Sequence, residues 1–279
     1  MNYNRMGWMK FAVTILCMAG TAFAQEDSEY ARKAVALAKN KDYAGAAEEF
    51  SKAIKASPKN PKHYSNRGKA YRAAGQLDKA EADFTKVIEL SPDNADAYSE
   101  RGKAKVSQKK FDAGIEDLTK AISLDENDVD SFRFRAFAYV AKRDFEKAIE
   151  DYSAVLKEKP KDVQALERRG FTYQSLKKYD EAIADFTQLI EKSPKDAEAY
   201  KRRGYAYSLK GEKEKAIEDF KMAVKLKPSD ADAATRLKAL EGKAVAPAAS
   251  PGVSGGAKPG PGPATGTPPV PSVAPSPGH

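Results

Sequence analysis

Arg168–Tyr173 reads RRGFTY, and thirty-four residues later Arg202–Tyr207 reads RRGYAY. The echo continues beyond the hexapeptide: YDEAIADFTQLIEKSP (Tyr179–Pro194) returns as KEKAIEDFKMAVKLKP (Lys213–Pro228). A fixed interval held through both stretches marks an internal repeat.

Working outward, residues 27–230 divide into six blocks: 27–60, 61–94, 95–128, 129–162, 163–196 and 197–230. The prolines nearly fix the period alone. Pro58, Pro92, Pro160, Pro194 and Pro228 share one register, Glu126 holds it in the third block, and Pro61 is the stray. Each block carries two apolar stripes at helical spacing with a short turn between them. In the second block Tyr64, Gly68 and Tyr71 mark one helix, Ala80, Phe84, Val87 and Ile88 the other, and Gly75 the turn. Proline lacks an N–H and clashes with the preceding turn, so Pro92 closes the second helix. Each block therefore predicts a hairpin of two helices, each about twelve to fourteen residues and roughly 20 Å long.

The recurring residues have packing roles. Gly68, Gly102, Gly170 and Gly204, with Ala136, are small where the helices of a hairpin approach; Ala46, Ala80, Ala148, Ala182 and Ala216, with Gly114, oppose them. Bulk fills the flanks, as Tyr64, Tyr98, Phe132, Leu166 and Tyr200 on first helices and Phe50, Phe84, Leu118, Tyr152, Phe186 and Phe220 on second helices. Glycine inside a helix costs about 0.5–1 kcal/mol against alanine, so its recurrence implies a close approach that returns more.

This pattern resembles the tetratricopeptide repeat, with its thirty-four-residue period and its Gly, Tyr, Ala, Phe and Pro at these spacings. The resemblance implies an all-α, right-handed superhelical solenoid of six helical hairpins with a concave groove, closed by a capping helix over 231–242. The first block is degenerate, with Ala34 in the glycine column. In the cap, Asp232, Arg236 and Lys238 interleave with Ala234 and Leu237, as suits the exposed end of an open stack. Some members clamp a C-terminal carboxylate with lysines, asparagines and an arginine. Here Ala31, Val35, Asp96, Glu100 and Asp130 fall where that clamp needs donors, so that function does not carry over.

A second regularity joins Arg67, Arg101, Arg135, Arg169 and Arg203 to Asp83, Asp117, Asp151, Asp185 and Asp219, with Lys33 and Glu49 in the first block. In an antiparallel hairpin with Tyr71 facing Ala80, residue 67 lies level with 83. A recurring Arg–Asp pair is expected, within each hairpin or across to its neighbour, giving register more than net stability.

Recognition must come from positions not required for stacking. Val35, Lys69, Lys103, Phe137, Phe171 and Tyr205 form one variable column on the first helices. Arg32, Asn66, Glu100, Phe134, Arg168 and Arg202 form the next, beside Ala31, Ser65, Ser99, Arg133, Glu167 and Lys201. The candidate partner-binding residues are Arg133, Phe134, Phe137, Arg168, Phe171, Lys201, Arg202 and Tyr205. Exposed aromatics flanked by arginine and lysine fit an extended protein or peptide segment carrying apolar and acidic side chains, or a carboxylate.

The ends read differently. Met1–Ala24 has Arg5 and Lys10, an apolar run, then Ala22-Phe23-Ala24: the layout of a secretory signal peptide, cleaved after Ala24. Its apolar core is short for a bilayer of about 30 Å, and no other segment is apolar enough to cross one, so no transmembrane segment is expected after cleavage. Cys17, the single cysteine, lies here behind Leu16, where a lipoprotein signal wants a small residue. The expected location is the periplasm or exterior of a bacterium. Residues 243–279 are rich in proline, glycine and alanine and lack any acidic or aromatic residue, predicting a disordered tail.

Net charge is +8, half of it from Arg5, Lys10, Lys243 and Lys258, so the middle is only mildly basic and no nucleic-acid partner is expected. The histidines are His63, expected to be solvated at a helix start, and His279 in the tail. Without a glycine-rich phosphate loop or a metal-ligand cluster, no catalytic residue, metal or cofactor is assigned. Three readings follow: an exported adaptor binding a partner segment in its groove, a structural envelope spacer with an inert stack, or a subunit whose catalytic partner is a separate chain.

Overall fold

A computed structural model describes residues 27–242. The expected leader over 1–24, with its cleavage point, and the expected tail over 243–279 lie outside the described residues. The described chain is helical throughout, in thirteen helices. Two compact units divide it, Met1–Ala138 and Tyr139–His279. The first holds α1 (27–39), α2 (Tyr43–Ala56), α3 (Pro61–Ala73), α4 (Leu77–Leu90), α5 (Ala95–Ser107), α6 (Phe111–Leu124) and most of α7 (Val129–Ala141). The second holds the end of α7, then α8 (Phe145–Glu158), α9 (Val163–Ser175), α10 (Tyr179–Lys192), α11 (Ala197–Lys210), α12 (Lys213–Leu226) and α13 (Ala231–Gly242). Within each unit, helices adjacent in sequence pack against one another, so each is a stack of antiparallel hairpins. The capping helix falls at α13, as the sequence predicts.

Local chemistry sets the helix ends. Asn60, Asn94, Asp162 and Asp196 cap first helices, their side-chain oxygens accepting backbone N–H groups that no helix carbonyl can reach. The stray Pro61 sits at the first helical position behind Asn60, where its missing N–H costs nothing. At the far end of second helices, Ser57, Ser91 and Ser193 precede the repeat prolines and leave the helical region, as a residue before proline must. Asp125 does the same in the block that lacks proline, so the loop conformation survives without the ring.

The turn inside each hairpin is held by a left-handed residue at the same repeat position. Gly75 and Gly211 fill it with φ of 74° and 91°, but Lys41, Lys109, Arg143 and Lys177 adopt φ of 59–64° there. A side chain in that region is strained by roughly 1–2 kcal/mol. Lys177→Gly is therefore expected to raise stability by about 0.5–1 kcal/mol despite glycine's greater unfolded freedom, visible as an upward Tm shift of a few degrees in a thermal melt. An unchanged or lower Tm would show the strain is relieved locally.

The core follows the columns. Phe50, Phe84, Leu118, Tyr152, Phe186 and Phe220 are buried on the second helices. A Cβ at Gly170 would lie 2.7 Å from the Phe186 ring, and one at Gly102 would lie 2.7 Å from Leu118, so both glycines are there to admit those side chains. At Gly204 the fit is looser, with the Phe220 ring at 3.4 Å.

Candidate functional site

The Arg–Asp columns form a repeated clamp inside the hairpins. Arg67 Nε and Nη2 donate to the two carboxylate oxygens of Asp83 at 2.9 and 2.7 Å. Arg101–Asp117, Arg169–Asp185 and Arg203–Asp219 repeat this fork, and Lys33–Glu49 replaces it in the first block at 3.0 Å. The clamp has a third leg absent from the expectation. The remaining guanidinium nitrogen donates to a hydroxyl sixteen residues earlier, on the preceding hairpin: Arg67 to Ser51, Arg101 to Thr85, Arg135 to Thr119, Arg169 to Ser153 and Arg203 to Thr187. Ser51, Thr85, Ser153 and Thr187 in turn donate to the carbonyl four residues back. Arg67, Arg101, Arg169 and Arg203 thus each tie their own hairpin together and bind it to the one before. First-helix rings flank it: Arg67 lies 5.7 Å from both Tyr64 and Tyr71, and Arg203 5.8 Å from Tyr200 and Tyr207. These residues are structural.

The variable columns lie on the first helices, but their side chains are less available than the sequence implies. In the first unit, Arg133 and Phe134 are only 7 % and 6 % exposed. Phe134 belongs to a core cluster with Val106, Leu118 and Ala138, and half-buried Phe137 packs against that cluster. Arg133 donates to Asp130 at 2.7 Å. Neither Arg133 nor Phe134 offers the exposed surface expected of it, because successive first helices come close enough to bury this column. The same wall is filled by its own charges: Lys69 meets Asp96 at 2.8 Å, while Glu100 joins Arg72 at 2.8 Å and Lys103 at 3.2 Å. His63, expected in solvent, is buried and bonded to Asp27 at 3.1 Å and Asn60 at 3.0 Å. Hydrogen bonds from Ser57 and then His63 hold the Asp27 carboxyl below the usual carboxylate range.

The second unit brings Phe171, Lys201, Arg202 and Tyr205 onto one wall of α9, α11 and α13, with Arg168 one turn before Phe171. All are half-buried. Arg202 covers the Phe171 ring at 5.3 Å, and Arg236 of the cap covers Tyr205 at 4.1 Å. Beneath, Phe171 meets Phe186 edge-on at 5.6 Å, joining the wall to the core. The same step of thirty-one residues separates ring and guanidinium in both pairs, so each aromatic is capped from the next first helix. Arg236 and the hydroxyl-to-arginine leg were not foreseen; each recurs in the sequence at a fixed interval, which is the signal that could have found it.

The cations of this wall already have carboxylates. Arg202 reaches Glu167 at 2.9 Å and Glu198 at 3.6 Å, Lys201 reaches Glu198 and Asp230 at 2.9 Å, and Arg236 reaches Asp232 at 2.9 Å. The expected free fork for an acidic ligand is therefore occupied internally. The backbone N–H of Ala233, together with Lys201 Nζ, holds the Asp230 carboxyl below its ordinary 3.8. A carboxyl with a lowered folded pKa adds stability above its unfolded value and loses it as pH falls through the folded one. Asp230→Asn should accordingly flatten the acid side of the Tm–pH profile below about pH 4; an unaltered profile would remove Asp230 from that role.

Antiparallel hairpins at a thirty-four-residue step, four of them locked by an arginine–aspartate fork, define an all-α solenoid of helical repeats. Family models described as tetratricopeptide or TPR repeat match residues 30–61, 49–82, 68–109, 95–128, 134–162, 163–196 and 197–230. The chain belongs to the tetratricopeptide repeat family. Among curated proteins none matches it. Among solved structures it is similar to YrrB, a TPR protein with an unusual peptide-binding site, at 24 % identity and a TM-score of 0.62, over 69 % of this chain and 99 % of that one. It is also similar to a tetratricopeptide repeat protein from Parabacteroides merdae at 20 % identity, TM-score 0.58, over 78 % and 99 %. A MamA structure aligns at 24 % identity, TM-score 0.57, over 62 % and 94 %. At these identities the likeness is one of fold.

Proposed function

We propose that the chain is a non-catalytic interaction scaffold of the bacterial envelope that holds an extended segment of a partner protein on the first-helix wall of α9, α11 and α13. The observation that carries this reading is the pair of arginine-capped rings, Phe171 under Arg202 and Tyr205 under Arg236, left half-exposed on one face. Stacking does not require them there: the same column holds Val35, Lys69 and Lys103 in other blocks. Flat apolar surface with a polar rim suits an extended polypeptide. YrrB, a TPR protein with an unusual peptide-binding site, supports peptide binding as a use of this fold. The envelope location rests on the leader-like sequence of Met1–Ala24.

The test is affinity capture from envelope extracts with three full-length proteins: wild type, Arg168→Glu/Arg202→Glu, and Lys157→Glu, whose charge lies on an exposed face of the second helix α8. A thermal melt first verifies that the double variant remains folded. A partner kept by wild type and Lys157→Glu but reduced about tenfold by the double variant supports the wall, a loss worth about 1.4 kcal/mol. Equal recovery by all three would favour the inert spacer.

A further inference from the structure

The first cleft of the stack stays open at a place that later hairpins fill with their own side chains. Between α1 and α3, Val35, Ala38, Tyr43, Phe50 and Ala70 line a cleft of about 310 Å³, with Lys39, Asn66 and Lys69 at its mouth. Two repeats on, the equivalent place lies between α5 and α7, where Val106, Phe111, Leu118 and Ala138 pack around Phe134. That ring springs from the repeat position of Asn66 and is 6 % exposed. One repeat on, Arg72 and Glu100 hold the positions of Ala38 and Asn66 and meet at 2.8 Å. Between α9 and α11, Arg202 and Phe171 hold those of Asn66 and Val35, with the guanidinium 5.3 Å from the ring. In the first cleft, Ala38 and Asn66 are too short to do the same.

The chain thus displays what such a cleft encloses. Phe134 seats one phenyl ring against Leu118, whose counterpart in the first cleft is Phe50, only 2 % exposed. A cavity at the small end of the usual range of about 300–1,000 Å³ suits a single large side chain. Aromatic rings bring much apolar area for little lost rotamer freedom. At the mouth, the exposed Asn66 amide and Lys39 ammonium bond to nothing among the described residues, whereas Lys69 is held by Asp96 at 2.8 Å. An amide both donates and accepts, so it can hold an extended backbone, and an unpaired ammonium favours a carboxylate beside the ring.

We propose that this cleft takes an aromatic side chain of an extended partner segment, with an acidic residue next to it, in the place that Phe134 fills from within two hairpins on. The site is separate from the wall of α9, α11 and α13 and does not rest on it. The probe is the end-capped peptide Gly-Ser-Phe-Glu-Ser-Gly, titrated into the full-length chain and followed by the amide NMR signals of Ala38 and Ala70. Saturable shifts should centre on those residues. Exchanging the peptide's Phe for Ala should weaken binding about tenfold or more, and exchanging its Glu for Lys about threefold. Asn66→Phe, which supplies the ring from the chain itself, should abolish binding and raise Tm by about 2–4 °C. Val35→Ser, at a 41 % exposed position, should weaken binding about fivefold and leave the fold intact. Arg168→Glu/Arg202→Glu should leave binding unchanged, which keeps failure of this site distinct from failure of the other wall. Equal affinity for the Phe and Ala peptides, shifts centred elsewhere, or an Asn66→Phe protein that melts lower or still binds overturns the proposal. Shifts of Ala38 and Ala70 that grow with protein concentration alone give the cleft to a second copy and overturn it too.

Discussion

Asp185→Ala is expected to lower the unfolding free energy by about 3–5 kcal/mol, the usual cost of stranding one member of a buried ion pair. The Asp185 side chain is 3 % exposed and takes two bonds from Arg169, at 3.0 and 2.7 Å. Burial pushes its carboxyl up against the pull of the guanidinium, so desolvation opposes the attraction here. Removing the carboxylate leaves Arg169 with only Ser153 at 2.9 Å and the Tyr173 ring at 5.8 Å. The same balance predicts a small cost for replacing both members with leucine, since a well-packed apolar pair avoids the desolvation altogether. Denaturant melts of Asp185→Ala and Arg169→Leu/Asp185→Leu make the comparison. A double variant as unstable as the single one would mean that the clamp adds net stability rather than register. Ser153→Ala, which cuts only the link to the preceding hairpin, should cost about 1 kcal/mol.

The features legible in the sequence were those that recur from block to block. The proline register and the Arg–Asp fork fall where the spacing puts them, because a hairpin's internal geometry depends on residues sixteen apart in one block; the glycines, expected opposite the small alanine column, instead face the bulky side chain sixteen residues on, as Gly170 faces Phe186. Ser51, Thr85, Thr119, Ser153 and Thr187 recur as faithfully, yet their role depends on how one hairpin meets the one before, which spacing alone does not encode. For the same reason the burial of Arg133 and Phe134 was not readable: it is set by the approach of successive first helices. Lys177 in a left-handed turn gives no sign in its own chemistry; only its alignment with Gly75 and Gly211 does. The candidate wall was half legible. Its aromatic and basic residues could be picked out as variable, but the reach of Glu167 and Glu198 to Arg202 belongs to side-chain length and tilt.

Phe186→Ala is expected to cost about 3–5 kcal/mol, as for any fully enclosed ring cut back to a methyl, and its informative partner is Gly170. In the wild-type background Gly170→Ala should destabilise by about 1–3 kcal/mol, because the added carbon meets the ring at 2.7 Å and a packed core resists extra volume. In the Phe186→Ala background the sign should reverse. The obstructing ring is gone, and alanine then brings its helix preference of about 0.8–1 kcal/mol over glycine. Gly204→Ala supplies the scale: its ring neighbour lies at 3.4 Å, so its cost should be visibly smaller than that of Gly170→Ala. Four melts, wild type, two single variants and the double, complete the cycle. Additive costs would mean that the glycine column answers to the backbone rather than to the ring it faces. Because Phe171 rests edge-on against Phe186, the same truncation removes the support beneath the wall. Partner capture by Phe186→Ala should therefore weaken at temperatures where the protein is still folded.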